Sequence, residues 1–137
     1  MKRMSIECKK RGMLLIADEA QTGLSRTGDM FAFQRDDIVP DILALSKTLG
    51  CGLPVASVST TVEIEKLALK GGYLWITTHY NDPLAAALAS KVIEIVVRDN
   101  CCKLAKSVGS SCVKASCGSR INTGVFGTSA GVVYCKS

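Results

Sequence analysis

A carboxylic acid and a lysine stand in matching positions of this 137-residue chain. Asp18 follows the apolar run at 13–17, and Lys47 follows the apolar run at 42–45 after one serine. A lysine amine can form an imine with an aldehyde, and a carboxylate can keep a proton on a pyridine nitrogen, so that the ring accepts electrons. The pair therefore supplies the two protein groups that a pyridoxal phosphate site requires.

The two apolar runs predict how the chain positions these groups. Each run is short and bounded by polar residues, which is typical of a buried strand in an α/β sheet. Ligand sites of such sheets lie beyond the carboxyl ends of the strands, where both Asp18 and Lys47 would fall. We therefore predict an α/β fold with a mainly parallel sheet and flanking helices.

Local patterns predict the remaining elements. Capping residues, glycine stops and apolar periodicity indicate three helices, at 2–11 before Gly12, at 62–70 between a Thr60–Glu63 capping box and Gly71, and at 83–98 after the N-cap Asp82. Short β-branched or aromatic runs indicate two further strands, at 53–59 and 73–76. Glycine and polar residues predict a loop at 22–30.

Several blocks of this sequence resemble the class III, pyridoxal phosphate-dependent aminotransferases. The blocks are LIADEAQTG at 15–23, RTG at 26–28, MFA at 30–32, PDIL at 40–43, LSKTLG at 45–50, and TTH at 77–79 followed by Asp82 and Pro83. Within that family the resemblance is strongest to the 2,2-dialkylglycine decarboxylase branch. It covers residues 10–99, and it implies that residues 1–100 are a middle piece of the family's cofactor-binding large domain.

The resemblance implies a role for each motif residue. Lys47 would hold the cofactor as an imine and carry the catalytic proton, while Asp18 would contact the pyridine nitrogen. Gln21 would hydrogen-bond near the phenolic oxygen of the cofactor. Thr78 would bind the cofactor phosphate from the neighbouring subunit, which implies a homodimer.

Other interpretations of these residues stay open at this stage. Lys47 could be a solvated surface lysine, and Glu19 rather than Asp18 could be the functional acid. In the decarboxylase branch, residues matching Thr78, Tyr80 and Asp82 contribute to a monovalent-cation site, but Asp82 is equally suited to capping a helix. The single histidine, His79, lacks a partner motif and is interpreted as structural.

The chemistry that the resemblance implies is transfer of an amino group between amino acids and keto acids. Cleavage of the bond to hydrogen at the α-carbon leads to transamination, whereas cleavage of the bond to carboxylate leads to decarboxylation. The pocket that selects between them would lie in parts of the family that these residues do not match. The main alternative is a non-catalytic, truncated fragment of such an enzyme.

Charge and cysteine content divide the chain at residue 100. Basic and acidic residues balance through residue 99, so the net charge of +5 comes from the tail, as do five of the seven cysteines. In the tail, aromatic residues do not alternate with basic ones as in a nucleic-acid-binding arm. It has no Cys-x-x-Cys pair of the kind that binds zinc. No apolar run approaches the length of a membrane span, and we expect a cytoplasmic protein without nucleic-acid or membrane partners.

A shifted reading frame would explain this tail. If each codon from Gly127 to Lys136 is regrouped by one base, the residues permitted at the nine new codons include DVRGRGLLQ, which resembles the glycine-rich strand that follows the long helix in this family. Tyr134 followed by Cys135 permits only Leu in that frame, and Cys135 followed by Lys136 permits only Gln or a stop. We therefore predict that residues 101–137 are an aberrant, frame-shifted and poorly ordered tail.

Overall fold

The structure is a computed structural model that describes the backbone of residues 1–118 and the side chains of residues 1–112. Its helices and strands follow one another in the order α1 (Lys2–Lys10), β1 (Ile16–Asp18), β2 (Ile42–Leu45), β3 (Ser57–Thr60), α2 (Val62–Lys70), α3 (Pro83–Arg98) and α4 (Cys101–Gly118). Two short 3₁₀ helices lie at Ala32–Asp36 and Lys47–Gly50. The fold is of the predicted α/β class.

A three-stranded sheet in the order β1-β2-β3 forms the centre of this fold. β1 and β2 pair in parallel, with Asp18 opposite Ala44. β3 pairs with β2 in the antiparallel direction, so half of the strand pairing departs from the mainly parallel sheet that the sequence predicts. β3 also begins at Ser57 rather than at 53, because Pro54 has no N–H for a strand ladder.

The apolar core lies between β2, the second 3₁₀ helix and α3. Leu24, Leu45 and Leu49 are buried at its centre. Partly buried apolar side chains pack around them, namely Met30, Phe31, Leu43, Val55, Ala89 and Val92. Helix α3 therefore packs against the turn that begins at Lys47, which gives the segment around Lys47 a firm support.

The predicted helices are confirmed, with one change at a cap. α2 and α3 have the predicted bounds, and the Asp82 carboxylate accepts a hydrogen bond from Leu84 N at 2.9 Å. The N-cap of α2 is Thr61 instead of Thr60, because the Thr60 hydroxyl donates to the carbonyl of Asp41 at 2.9 Å.

The prediction of a strand at 73–76 is wrong. These residues follow the turn at 71–72 without regular structure, and no strand of residues 1–118 pairs with them. A β-strand needs a hydrogen-bonded neighbour, which local β-propensity cannot supply. Their large side chains are exposed.

Residues 101–118 form helix α4, whereas the sequence predicts a poorly ordered tail from residue 101. Two serine hydroxyls are hydrogen-bonded within the helix. Ser110 donates to the carbonyl of Lys106 at 2.8 Å, and Ser111 donates to that of Ser107 at 3.1 Å. The predicted disorder of residues 119–137 lies outside the described residues. Among residues 1–118, no helix has both the length and the apolar character needed to cross a bilayer.

Candidate cofactor site

Asp18 and Lys47 lie at the same edge of the sheet, as the sequence predicts. Asp18 is the last residue of β1, and Lys47 follows β2 after Ser46. The ladder continues one step past Asp18, because Glu19 N donates to the carbonyl of Ala44 at 2.9 Å. Since β1 and β2 are parallel, their carboxyl ends present both side chains at this edge.

Lys47 has an uncommon backbone conformation. Its φ of +48° lies in the left-handed region, which costs of the order of 1–3 kcal/mol for residues other than glycine. The surrounding turn holds it there: Leu49 N donates to the carbonyl of Ser46 at 3.0 Å, and the Leu49 side chain is only 2% exposed. The Lys47 side chain is exposed, so its amine is accessible to a cofactor.

The two adjacent acids occupy different environments. Asp18 is exposed, and its Oδ1 accepts a hydrogen bond from Ala20 N at 3.0 Å. Glu19 is 4% exposed, and both of its carboxylate oxygens accept hydrogen bonds, from Phe33 N at 3.0 Å and from the Thr22 hydroxyl. Of the two acids, only Asp18 is exposed for contact with a ligand.

The loop after the acids is closed tightly. Gly23 N donates to the carbonyl of Glu19 at 2.8 Å. A Cβ on Gly23 would lie 2.8 Å from that carbonyl oxygen and 3.0 Å from Leu45 Cδ2, so the close approach requires glycine. Gln21 lies at the exposed tip of this loop.

Three polar contacts that sequence analysis missed join later segments to this loop region. Arg26 Nε donates to the hydroxyl of Thr48, the residue after Lys47, at 3.3 Å. Asp29 accepts from Arg35 Nε at 2.7 Å and from Lys106 Nζ at 2.6 Å, and these hydrogen bonds lower the pKa of the Asp29 carboxyl. The RTG block contains Arg26, but no local pattern indicates its partner.

Thr78, the proposed phosphate ligand, lies in the exposed stretch at 73–80. Within residues 1–118, no hydrogen bond or ion pair links Thr78 to Asp18, Gln21 or Lys47. Asp18 and Lys47 lie at the carboxyl ends of adjacent strands and Gln21 lies on the loop after β1, whereas Thr78 belongs to a different segment. The role of Thr78 in a neighbouring subunit stays a prediction.

The three residues of the predicted cation site have different surroundings. Thr78 and Tyr80 are exposed, whereas Asp82 caps α3, and the Leu84 N–H is the main cause that lowers the pKa of the Asp82 carboxyl. Asp82 Oδ2 also lies 3.5 Å from Nδ1 of the largely exposed His79. The capping role of Asp82 is confirmed, and the cation role stays a prediction. Among residues 1–112, whose side chains are described, no three His, Cys, Asp or Glu side chains group as metal ligands.

The donor set at this sheet edge suits pyridoxal phosphate. An exposed amine and an exposed carboxylate lie at the ends of adjacent parallel strands, with the amide of Gln21 on the loop between them. Enzymes that depend on pyridoxal phosphate use a lysine and an acid together, and this α/β sheet presents both at one end of its parallel strands.

Comparison with known proteins identifies the family. The model of the aminotransferase class-III family matches residues 1–115, so this chain belongs to the class III aminotransferases. It is 52% identical over 109 residues to an uncharacterized aminotransferase of Schizosaccharomyces pombe, covering 80% of this chain and 24% of that protein. It is 39% identical over 99 residues to the acetylornithine aminotransferase of Corynebacterium efficiens, and the match covers 72% of this chain and 24% of that protein.

A solved structure gives the same result. The ornithine aminotransferase of Toxoplasma gondii, whose active site holds pyridoxal phosphate at partial occupancy, superposes with a TM-score of 0.78 at 30% identity. It covers 88% of this chain and 29% of the Toxoplasma chain. This chain therefore spans about a quarter of the length of its relatives.

The extent of the family match bears on the predicted division at residue 100. The match ends at residue 115, inside helix α4. Family-like sequence therefore continues past residue 100, while the division into a large-domain piece and a frame-shifted tail stays a prediction.

Proposed function

We propose that this chain is the piece of a pyridoxal phosphate-dependent aminotransferase that carries the cofactor lysine and its partner acid. The observation that supports it is the exposure of Lys47 and Asp18 at one edge of a parallel strand pair. Bound pyridoxal phosphate supplies an electron sink for the carbanion that forms when a bond at the amino acid α-carbon breaks.

Each residue of this chain has a separate task in the proposal. Lys47 Nζ holds the cofactor through its aldehyde and, once a substrate amine displaces it, moves the proton at the α-carbon as a general base. The Asp18 carboxylate keeps a proton on the ring nitrogen. The Gln21 amide donates a hydrogen bond to the phenolic oxygen.

The rest of the proposal concerns the whole protein. Amino acids and keto acids are the proposed substrates, and a homodimer is proposed because Thr78 would bind the phosphate from the second subunit. A monovalent cation near Thr78, Tyr80 and Asp82 and a cytoplasmic location belong to the same proposal.

The finer assignment to a dialkylglycine decarboxylase has no support from the relatives described above, which are named as aminotransferases. Lys47 and Asp18 would serve decarboxylation equally well, because the same electron sink accepts the carbanion from either bond cleavage. The non-catalytic fragment remains the alternative to an active enzyme, and exposed Lys47 and Asp18 side chains are what a cofactor-binding piece would require.

Selective labelling tests the cofactor role of Lys47. The chain is incubated with pyridoxal phosphate, reduced with borohydride and digested, and the modified lysine is located by mass spectrometry. We expect label mainly on Lys47 and none at this position in Lys47→Ala. The matched control is Lys66→Ala, which removes an exposed lysine from α2 and should leave the labelling of Lys47 unchanged. Equal labelling of Lys47 and Lys66 in the unmodified chain would contradict the proposal.

A further inference from the structure

Glu19 is a buried acid to which the proposed chemistry gives no task. Its side chain is 4% exposed and sits directly after Asp18. A buried carboxylate is costly unless its oxygens are hydrogen-bonded. Both oxygens are satisfied here, because Oε1 accepts from Phe33 N at 3.0 Å and Oε2 accepts from the Thr22 hydroxyl.

The hydrogen bonds of Glu19 reach three separate segments. The side chain joins the end of β1 to the 3₁₀ helix Ala32–Asp36 through Phe33 N. The backbone N–H joins it to β2 through the carbonyl of Ala44, and the backbone carbonyl accepts from Gly23 N at 2.8 Å. Glu19 is thus hydrogen-bonded to β2, to the 3₁₀ helix at Ala32–Asp36 and to its own loop at 19–23.

We infer that Glu19 is a positioning residue that fixes Asp18 and Gln21 for the cofactor by bracing their loop against the 3₁₀ helix at Ala32–Asp36. The inference rests on the proposed function, and it assigns Glu19 no contact with the cofactor. Asp18 immediately precedes Glu19 and Gln21 follows within the same closed turn, so a shift of Glu19 moves both. A misplacement of about 1 Å in such a site can cost roughly 100-fold in rate.

Four variants test this inference in the full chain. Glu19→Ala removes both acceptor oxygens, while Glu19→Gln keeps an acceptor for Phe33 N and a donor for the Thr22 hydroxyl. Thr22→Val removes only the hydroxyl, and it carries the test if Glu19→Ala does not fold. The matched control is Thr61→Ala, which loses the cap of α2 and lowers stability at a distant site.

Amide hydrogen exchange gives the first measurement. We expect the amide of Phe33 to exchange about tenfold faster or more in Glu19→Ala, because the variant removes the side-chain oxygen that accepts from it. The Gly23 amide keeps its backbone acceptor, so it should exchange faster only because the loop is no longer braced. Thr22→Val should show a smaller change in the same direction, and Glu19→Gln should restore protection. Unchanged protection of these amides in both Glu19→Ala and Thr22→Val would overturn the inference.

The pH titration of the absorbance of the Lys47 adduct gives the second measurement, which a purely structural role would not move. A displaced Asp18 holds the proton on the ring nitrogen less well. The loss of this positive charge near the Lys47 adduct raises the midpoint of the titration by about one pH unit. We expect this rise in Glu19→Ala and no shift in Thr61→Ala or Glu19→Gln. A midpoint that is equal in Glu19→Ala and the unmodified chain would refute the positioning role. If the unmodified chain forms no adduct, the proposed function fails, and the exchange measurement still decides whether Glu19 braces the loop.

Discussion

Lys106 Nζ lies 2.6 Å from Asp29 Oδ1, and this ion pair joins α4 to the loop beyond Gln21 although 77 residues separate the two in sequence. The carboxylate of Asp29 is shared with Arg35, whose Nε lies 2.7 Å from Oδ2. The Lys106 side chain also packs over Gly28, where a Cβ would clash with Lys106 Cγ. Helix α4 is therefore attached to the part of the chain that carries the candidate site.

The shared carboxylate makes stability depend on pH. Hydrogen bonds from Arg35 and Lys106 lower the pKa of Asp29 below 3.8. A lowered pKa contributes stability that is fully present above the unfolded-state pKa of about 4 and is lost as the pH falls through the folded-state pKa. Below about pH 4, the free energy of unfolding, measured with urea, should decrease in the unmodified chain. We expect a smaller decrease in Asp29→Asn.

The control for this pH effect is Asp37→Asn, which changes an exposed acid in a left-handed turn that asparagine tolerates. The pH dependence of Asp37→Asn should match that of the unmodified chain. Identical pH profiles for Asp29→Asn and Asp37→Asn would show that the ion pairs of Asp29 add no stability.

Gly23 should tolerate no larger residue. An alanine Cβ would lie 2.8 Å from the backbone oxygen of Glu19, which cannot rotate away, so the loop must shift. We expect Gly23→Ala to lower the free energy of unfolding by about 1–3 kcal/mol, the usual cost of overpacking. Gly71→Ala is the matched control, because its Cβ would meet only contacts of 3.4 Å, and it should change stability by less than about 0.5 kcal/mol. Equal effects in urea denaturation would show that the Gly23 loop relaxes freely.

The isolated chain should show at most trace turnover even if Lys47 binds the cofactor. No hydrogen bond among the described residues joins Thr78 to the other three proposed cofactor-binding residues, and orientation supplies roughly 7–11 kcal/mol of such a reaction's acceleration. The measurement is product formation from 2-aminoisobutyrate and pyruvate with pyridoxal phosphate, for the chain and for Lys47→Ala. Robust multiple turnover that disappears in the variant would show that this piece is a working enzyme.

The nucleotide sequence tests the origin of the tail. We expect one base to be missing near codon 100 or between there and about codon 127, with a frame beyond it that encodes DVRGRGLLQ or a close variant. The family match to residue 115 favours a position in the later part of this interval. Codons that do not permit this string in the alternative frame would rule the frame shift out.

Local patterns in the sequence were sufficient for elements that depend on nearby residues. The N-cap Asp82, Pro83 and the apolar stripe of α3 predict this helix up to its last residue. The polar residues after β1 and β2 predict the end of the sheet at which the candidate site lies. The antiparallel pairing of β3 and the absence of a strand at 73–76 depend on which strands are neighbours, which no local pattern encodes.

The candidate site shows the same limit. The proposed roles of Lys47 and Asp18 start from the sequence, because their side-chain chemistry and their place after apolar runs are readable along the chain, and the proposed role of Gln21 comes from the family resemblance. The contribution of Glu19 could not, because its partner Phe33 N is a backbone group 14 residues away. Asp29 was missed for the same reason, since nothing near it in sequence indicates Lys106.

The exposed segment at 73–76 affects how this chain would fare inside a cell. Its Leu74, Trp75 and Ile76 side chains are 74%, 62% and 72% exposed. Exposed apolar stretches of this kind engage chaperones and mark a chain for proteolysis, so steady-state abundance depends on the rate of degradation as well as on synthesis. We expect the level of this chain to be set chiefly by protein quality control, and to rise when partner surfaces cover those three side chains.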